Sequence, residues 1–262
     1  MSLDAQGLGI ALSGRSIFSG VDLHAPPGAV VGLVGPNGEG KTTLLRALSG
    51  ITPPTAGHVR IDGRDLHRIP ARERARLVGA LFAPPDTTFG FTARELVTMG
   101  RYPHLGRAFE GEADRAAADS ALSAMDLMAL ADTPIHTLSA GERQRVGIAR
   151  LLCQRPATYL FDEPTSNLDP AHVERFVRVV RGLAQAGAAV VCVVHDLDLA
   201  LRLSDRLVVL AKGRVQSEGE PAAVLTPLLI EAVWGVSTAR VDSAVGRPAL
   251  IMAAPKSTTS HD

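Results

Sequence analysis

Several short stretches carry residue types that can do chemistry together. Gly35-Pro36-Asn37-Gly38-Glu39-Gly40-Lys41-Thr42-Thr43 has the spacing G-x-x-x-x-G-K-T. Glycines at those places let backbone N–H groups approach phosphate oxygens, and the start of a following helix adds its positive dipole end. Lys41 can reach the β- and γ-phosphates of a nucleotide, and the Thr42 hydroxyl can hold Mg²⁺. Asp162-Glu163 closes an apolar run, Tyr159-Leu160-Phe161. A carboxylate at a strand end lies beside a phosphate loop in a doubly wound sheet. Asp162 suits Mg²⁺, directly or through water. Glu163 suits the polarisation of an attacking water as general base. His195 ends another apolar run and can reach a γ-phosphate or orient Glu163, although a lone His after a strand serves equally well as a structural residue. Ser139-Ala140-Gly141-Glu142 has the spacing of a capping box, and its N–H groups with the Ser139 hydroxyl make a second anion site.

These residues need rigid carriers, and the pattern supplies them. Val30-Val31-Gly32-Leu33-Val34 reads as a buried strand entering the glycine loop, and Leu44-Leu45-Arg46-Ala47-Leu48 as the helix leaving it. Residues 8–31 otherwise read as short strands joined by turns. His58 to Ile61 is a strand ending in an Asp62-Gly63 turn, and 77–82 is a buried strand. From about 92 to 136 the chain reads as helical. Thr92 with Glu95 opens one helix, ending at Gly100, and residues 112–131 carry Leu122, Met125, Leu127 and Leu130 on a second. Strand and helix then alternate: strands at 158–161 and 188–194, helices from Asp169-Pro170 and over 197–203, and a hairpin around Lys212-Gly213. This is the pattern of one α/β unit with a helical insertion. The Ser/Thr-rich tail, 255–262, is expected to be disordered.

Composition narrows the class. The 262 residues are 46% apolar, enough for a large core. Lys plus Arg and Asp plus Glu are 27 each, which argues against a nucleic-acid-binding surface spread over the domain. Cys153 and Cys192 stand in apolar surroundings without metal-ligand spacing, as buried free thiols do. Met1-Ser2-Leu3-Asp4 lacks the basic start of a signal peptide, and no apolar run reaches the ~18 residues of a membrane span. The chain is therefore expected to be soluble, or to meet a membrane only through a partner.

Taken together the motifs resemble those of the nucleotide-binding subunit of ATP-binding cassette (ABC) transporters. Residues 35–43 match the Walker A loop, 138–144 the family signature, 159–163 Walker B, 166–169 the D-loop and His195 the switch histidine, in the family's order. The resemblance covers residue 8 to about 250. It implies an α/β P-loop NTPase core of ABC type with an N-terminal antiparallel β region and a helical subdomain inserted at about 84–155, all within one domain, 1–254. It implies ATP and Mg²⁺ as cofactors. It also implies a head-to-tail dimer, each ATP clamped between the phosphate loop of one copy and Ser139, Ala140, Gly141 and Glu142 of the other. Further implied partners are two transmembrane permease subunits and, indirectly, a substrate-binding protein, with the chain at the cytoplasmic face of the membrane.

Arg94-Glu95-Leu96-Val97-Thr98-Met99-Gly100-Arg101-Tyr102-Pro103-His104 is similar to a stretch of the iron–siderophore, haem and cobalamin import ATPases, although a plain turn after a helix would read the same way. The expected cargo is an iron chelate, iron–siderophore first, with haem and cobalamin as alternatives. A non-transport ABC ATPase or a regulatory nucleotide binder are the competing readings. Positions 83, 12 and 140 depart from the family pattern. Ala83 stands where a glutamine should contact Mg²⁺, Leu12 where an aromatic ring should stack on adenine, and Ala140 where glycine is commoner.

Overall fold

The computed structural model describes residues 1–12, 14–82, 90–105, 111–242 and 248–252. Ala83, the expected start of the insertion near 84 and the tail from 255 lie outside them. The strands are β1 Leu3–Leu12, β2 Arg15–Ala25, β3 Val30–Val34, β4 Ala56–Ile61, β5 Arg64–Asp65, β6 Val78–Leu81, β7 Thr158–Asp162, β8 Ala189–Val193, β9 Arg206–Ala211, β10 Arg214–Gly219, β11 Thr238–Asp242 and β12 Pro248–Met252. The helices are α1 Lys41–Leu48, α2 Ala71–Leu77, α3 Ala93–Thr98, α4 Glu112–Ala124, α5 Ala140–Gln154, α6 Pro170–Gln185, α7 Leu197–Leu203, α8 Pro221–Val224 and α9 Pro227–Trp234.

The central sheet has the order β10-β9-β3-β8-β7-β6, parallel except for the β9–β10 hairpin. β3, β7 and β8 are buried at every position. Such continuous apolar runs are what a parallel strand covered on both faces requires. Their side chains alternate between two cores. Val30, Phe161 and Cys192 join the core under the helices, whereas Val31, Leu160 and Val191 join the core shared with α1, β1 and β2. The second sheet, β2-β1-β4-β5, is antiparallel. Its Asp62-Gly63 turn has both residues at positive φ, 46° and 78°, as a tight two-residue hairpin needs. The β9–β10 turn, Lys212-Gly213, repeats this at 52° and 67°.

Helices α3, α4 and α5 pack on one another and carry the signature stretch. The capping box expected at Thr92 and Glu95 is present. The second helix differs from expectation: it stops at Ala124 instead of running to 131. Asp126 takes a left-handed φ of 58°. Leu127 N–H then bonds back to Leu122 O and Asp126 N–H to Ser123 O, the double closure that ends a helix. Met125 and Leu127 remain fully buried, so the apolar pattern is kept by a turn and not by more helix. The first helix stops at Thr98, just short of its expected end at Gly100, and a 3₁₀ turn over Met99–Arg101 follows it.

Candidate nucleotide site

Adjacency in the sheet builds the site. β3, β8 and β7 are parallel neighbours, so the loop after β3, His195 after β8 and Asp162-Glu163 at the end of β7 emerge side by side. The glycines of the loop are sterically required. An ideal Cβ on Gly35 would lie 2.0 Å from Leu210 O, and one on Gly40 2.7 Å from Ile17 Cγ2. Gly40 has φ 89° at the mouth of α1. The loop is buttressed from outside, where Gly213 N–H donates to Glu39 Oε2 at 3.2 Å.

Lys41 is only 5% exposed. Its Nζ donates to Gly35 O at 2.8 Å and to Pro36 O at 2.7 Å. Burial lowers its pKa below the ordinary lysine value, opposed by the carboxylates of Glu163, Asp162 and Glu39. Asp162 shows the converse. Burial raises its pKa, while a hydrogen bond from Thr42 opposes the rise. Asp162 Oδ1 is buried without a partner. An orphaned carboxylate oxygen beside a threonine hydroxyl is the oxygen donor set that Mg²⁺ takes, so these residues fit that ion.

Glu163 has φ 48°, unusual for a residue with a side chain. Its carbonyl accepts from Ser166 N–H at 3.4 Å and Ser166 Oγ at 3.2 Å. Its Oε1 lies 2.5 Å from His195 Nε2, and both side chains remain about two-fifths exposed. A cavity of about 400 Å³ opens here, lined by Ile17, Asn37, Gly38, Gly40, Lys41, Thr42, Thr43, Glu163 and His195. Most of the residues expected at the phosphate loop thus meet Glu163 and His195 around one space. Leu12 is not among the lining residues. It lies half exposed at the end of β1, opposite Arg15. Ile17, not singled out from the sequence, lines the cavity in its place. Its only advance signal was its place on a strand leading toward the loop.

The signature stretch forms a separate place. Ser139 caps α5: its Oγ accepts from Glu142 N–H at 3.3 Å, and Glu142 Oε2 accepts from Ser139 N–H at 2.7 Å. The Ser139 N–H, and after it the Ser139 hydroxyl, hold the Glu142 carboxyl below its usual range. Ala140 is exposed at the first helical position. Gly141 packs against the D-loop stretch, since an ideal Cβ there would lie 2.7 Å from Asn167 O. A second cavity, about 320 Å³, is lined by Ser139, Gly141, Glu142, Arg145, Asn167, Leu168, Asp169 and His172. Asp169 caps α6, and its Oδ2 lies 2.9 Å from His172 Nδ1. Among the described residues no cluster of His, Cys, Asp and Glu has the form of a resident metal centre, and no helix is long and apolar enough to cross a membrane.

Fold and site define a P-loop ATPase cassette. Residues 18–166, more than half of the chain, match the family model described as ABC transporter. Over 240 residues the chain is 43% identical to the cobalamin import ATP-binding protein BtuD of Halobacterium salinarum, covering 91% of this chain and 60% of that protein. It is 43% identical over 239 residues to the hemin import ATP-binding protein HmuV of Pseudomonas entomophila, covering 89% of this chain and 92% of that one. A dimeric bacterial ABC transporter cassette superposes with a TM-score of 0.76 at 28% identity, over 84% of this chain and 98% of the other. The chain belongs to the ABC transporter family.

Proposed function

We propose that the chain is the ATP-hydrolysing subunit of an importer for an iron chelate, iron–siderophore first and haem or cobalamin as the alternatives. The observation that carries hydrolysis is the Glu163–His195 contact of 2.5 Å at the lip of the phosphate-loop cavity. A carboxylate so held is aimed as a general base for water, with His195 fixing its orientation. Lys41 and the loop N–H groups bind the phosphates, and the α1 dipole favours their charge. Thr42 and Asp162 would hold Mg²⁺, which when bound supplies charge neutralisation of the phosphate oxygens.

The Ser139–Glu142 corner has N–H donors and a hydroxyl, and its carboxylates are engaged locally, Glu142 by Ser139 N–H and Asp169 by His172. This supports a head-to-tail dimer in which it closes over the ATP of a second copy, as does the likeness to a dimeric cassette. Loss of the γ-phosphate then releases one surface from the other, and the motion drives the partner subunits. Those partners are two transmembrane permeases, served by a substrate-binding protein, with this chain peripheral at the cytoplasmic face of the membrane. Names of the relatives, hemin import and cobalamin import, support a metal-chelate cargo. The similarity of residues 94–104 is shared by the siderophore, haem and cobalamin import ATPases, so it supports the class of cargo, and siderophore is the first choice within that class. Uptake of labelled ferric siderophore, haem and cobalamin is the test, in cells carrying wild type or Glu163→Gln. Selective loss of siderophore uptake is expected. Loss of another cargo would reassign the substrate, and survival of all three would end the metal-chelate reading.

A further inference from the structure

Gln144 lies one turn into α5 and is 2% exposed. Its Nε2 donates to Pro164 O at 3.1 Å. Its Oε1 is buried without a partner. A buried amide with one orphaned atom is unfavourable relative to an apolar residue of the same size. What the amide adds over such a residue is the single bond to Pro164. Pro164 is buried and directly follows Glu163, whose backbone sits at φ 48°. Downstream, that strained turn is held by the Ser166 bonds to Glu163 O. Across the fold it is held by Gln144. The neighbouring Arg145 donates from Nη1 to Met125 O at 3.0 Å and Asp126 O at 2.8 Å, fixing the same turn of α5 to the end of α4. Gln144 therefore ties the placement of the signature helix to the peptide that presents Glu163.

We infer that Gln144 is a positioning residue for Glu163, so that the aim of the general base depends on where α5 sits; the inference rests on the hydrolytic reading above. It lines neither of the two cavities described above. A misplacement of the base by about 1 Å costs up to about 10²-fold in rate.

The test uses the full chain with Gln144→Met, which keeps volume and removes the donor, and Gln144→Leu, which removes the donor with a shorter apolar side chain. Both are expected to lower kcat for ATP hydrolysis by about 10- to 100-fold. ATP affinity should stay at the wild-type value. Combined with Glu163→Gln, neither should lower the residual turnover further, because the residue acts only through that carboxylate. Unchanged kcat in both variants would overturn the inference. So would a loss that multiplies in the double variant, since that marks a general structural role. Glu163→Gln alone reads the underlying hydrolysis: normal turnover there refutes the base assignment and removes the premise, an outcome separate from any effect at Gln144.

Discussion

The phosphate loop and the start of α5 are both helix N-termini offering N–H groups, and they are built in opposite ways. The first is assembled from distant parts of the chain. Glycines are forced against Leu210 and Ile17, a lysine is buried among carboxylates, and Asp162 keeps an oxygen without a partner. The second is local. Ser139 and Glu142 satisfy one another three residues apart, and Ser139 and Ala140 face solvent. One site carries stored electrostatic cost and gathers Lys41, Thr42, Glu163 and His195 around one cavity. The other is self-satisfied, its Glu142 carboxylate engaged by Ser139 N–H and its Asp169 carboxylate by His172. A buried, unbalanced site suits binding a charged ligand within one chain. An exposed, balanced one suits closing over a ligand that another chain holds.

Removing Lys41 breaks this contrast most severely. Lys41→Ala leaves the loop without its phosphate-reaching cation, and ATP affinity should fall by roughly 100-fold or more, on the order of 3 kcal/mol. Titration with a fluorescent ATP analogue checks it, and unchanged affinity would disprove the phosphate-loop assignment. Ser139→Ala should act in the other way. It removes a helix cap, at about 1 kcal/mol, and one donor of the second site. Affinity of the isolated chain for ATP should stay unchanged, while ATP-driven self-association, read by light scattering with Glu163→Gln as background, should weaken by about fivefold to tenfold. A fall in ATP affinity of the monomer would instead mean that both regions serve one nucleotide in one chain.

The same difference explains what was legible in the sequence. Signals confined to a few neighbouring residues hold: the Ser139/Glu142 and Thr92/Glu95 boxes, Asp169-Pro170 opening α6, the Asp62-Gly63 and Lys212-Gly213 turns, and the helix over residues 197–203. Features set by tertiary packing do not show. Helix α2 has no side-chain cap and no buried residue. It is secured by Arg72 and Arg76, whose Nε atoms both donate to Pro103 O. The helix–strand–strand ending, α9 with β11 and β12, carried no periodic signal strong enough to read. Within the site, the motifs named the phosphate loop, Asp162, Glu163 and His195, but not the wall around them. Whether Leu12 or Ile17 faces the cavity depends on the register of β1 against β2, which shifts at several places, including between Ile10 and Ala11. The contact of Gln144 with Pro164 spans 20 residues and requires α5 to be docked first.

Asp162 gives the smallest expected effect and sharpens the comparison furthest. Its raised pKa means that the native state binds its proton more tightly than the unfolded chain does. Stability therefore falls as pH rises from the ordinary aspartate value through the raised one, and above that the full penalty of a buried carboxylate is present. Asp162→Asn removes the charge and can keep the partner hydroxyl of Thr42. In the absence of nucleotide and Mg²⁺ at neutral pH the variant should melt higher, by about 2–4 °C for ~1 kcal/mol. The gain should vanish as pH is lowered below about 3.9. The additional stabilisation that Mg²⁺ gives in the presence of ATP should disappear in the variant. Calorimetry at neutral and acid pH reads all of this. A variant that melts no higher than wild type would show that the carboxylate carries no stability cost. The contrast with the self-satisfied start of α5 would then rest on steric packing alone.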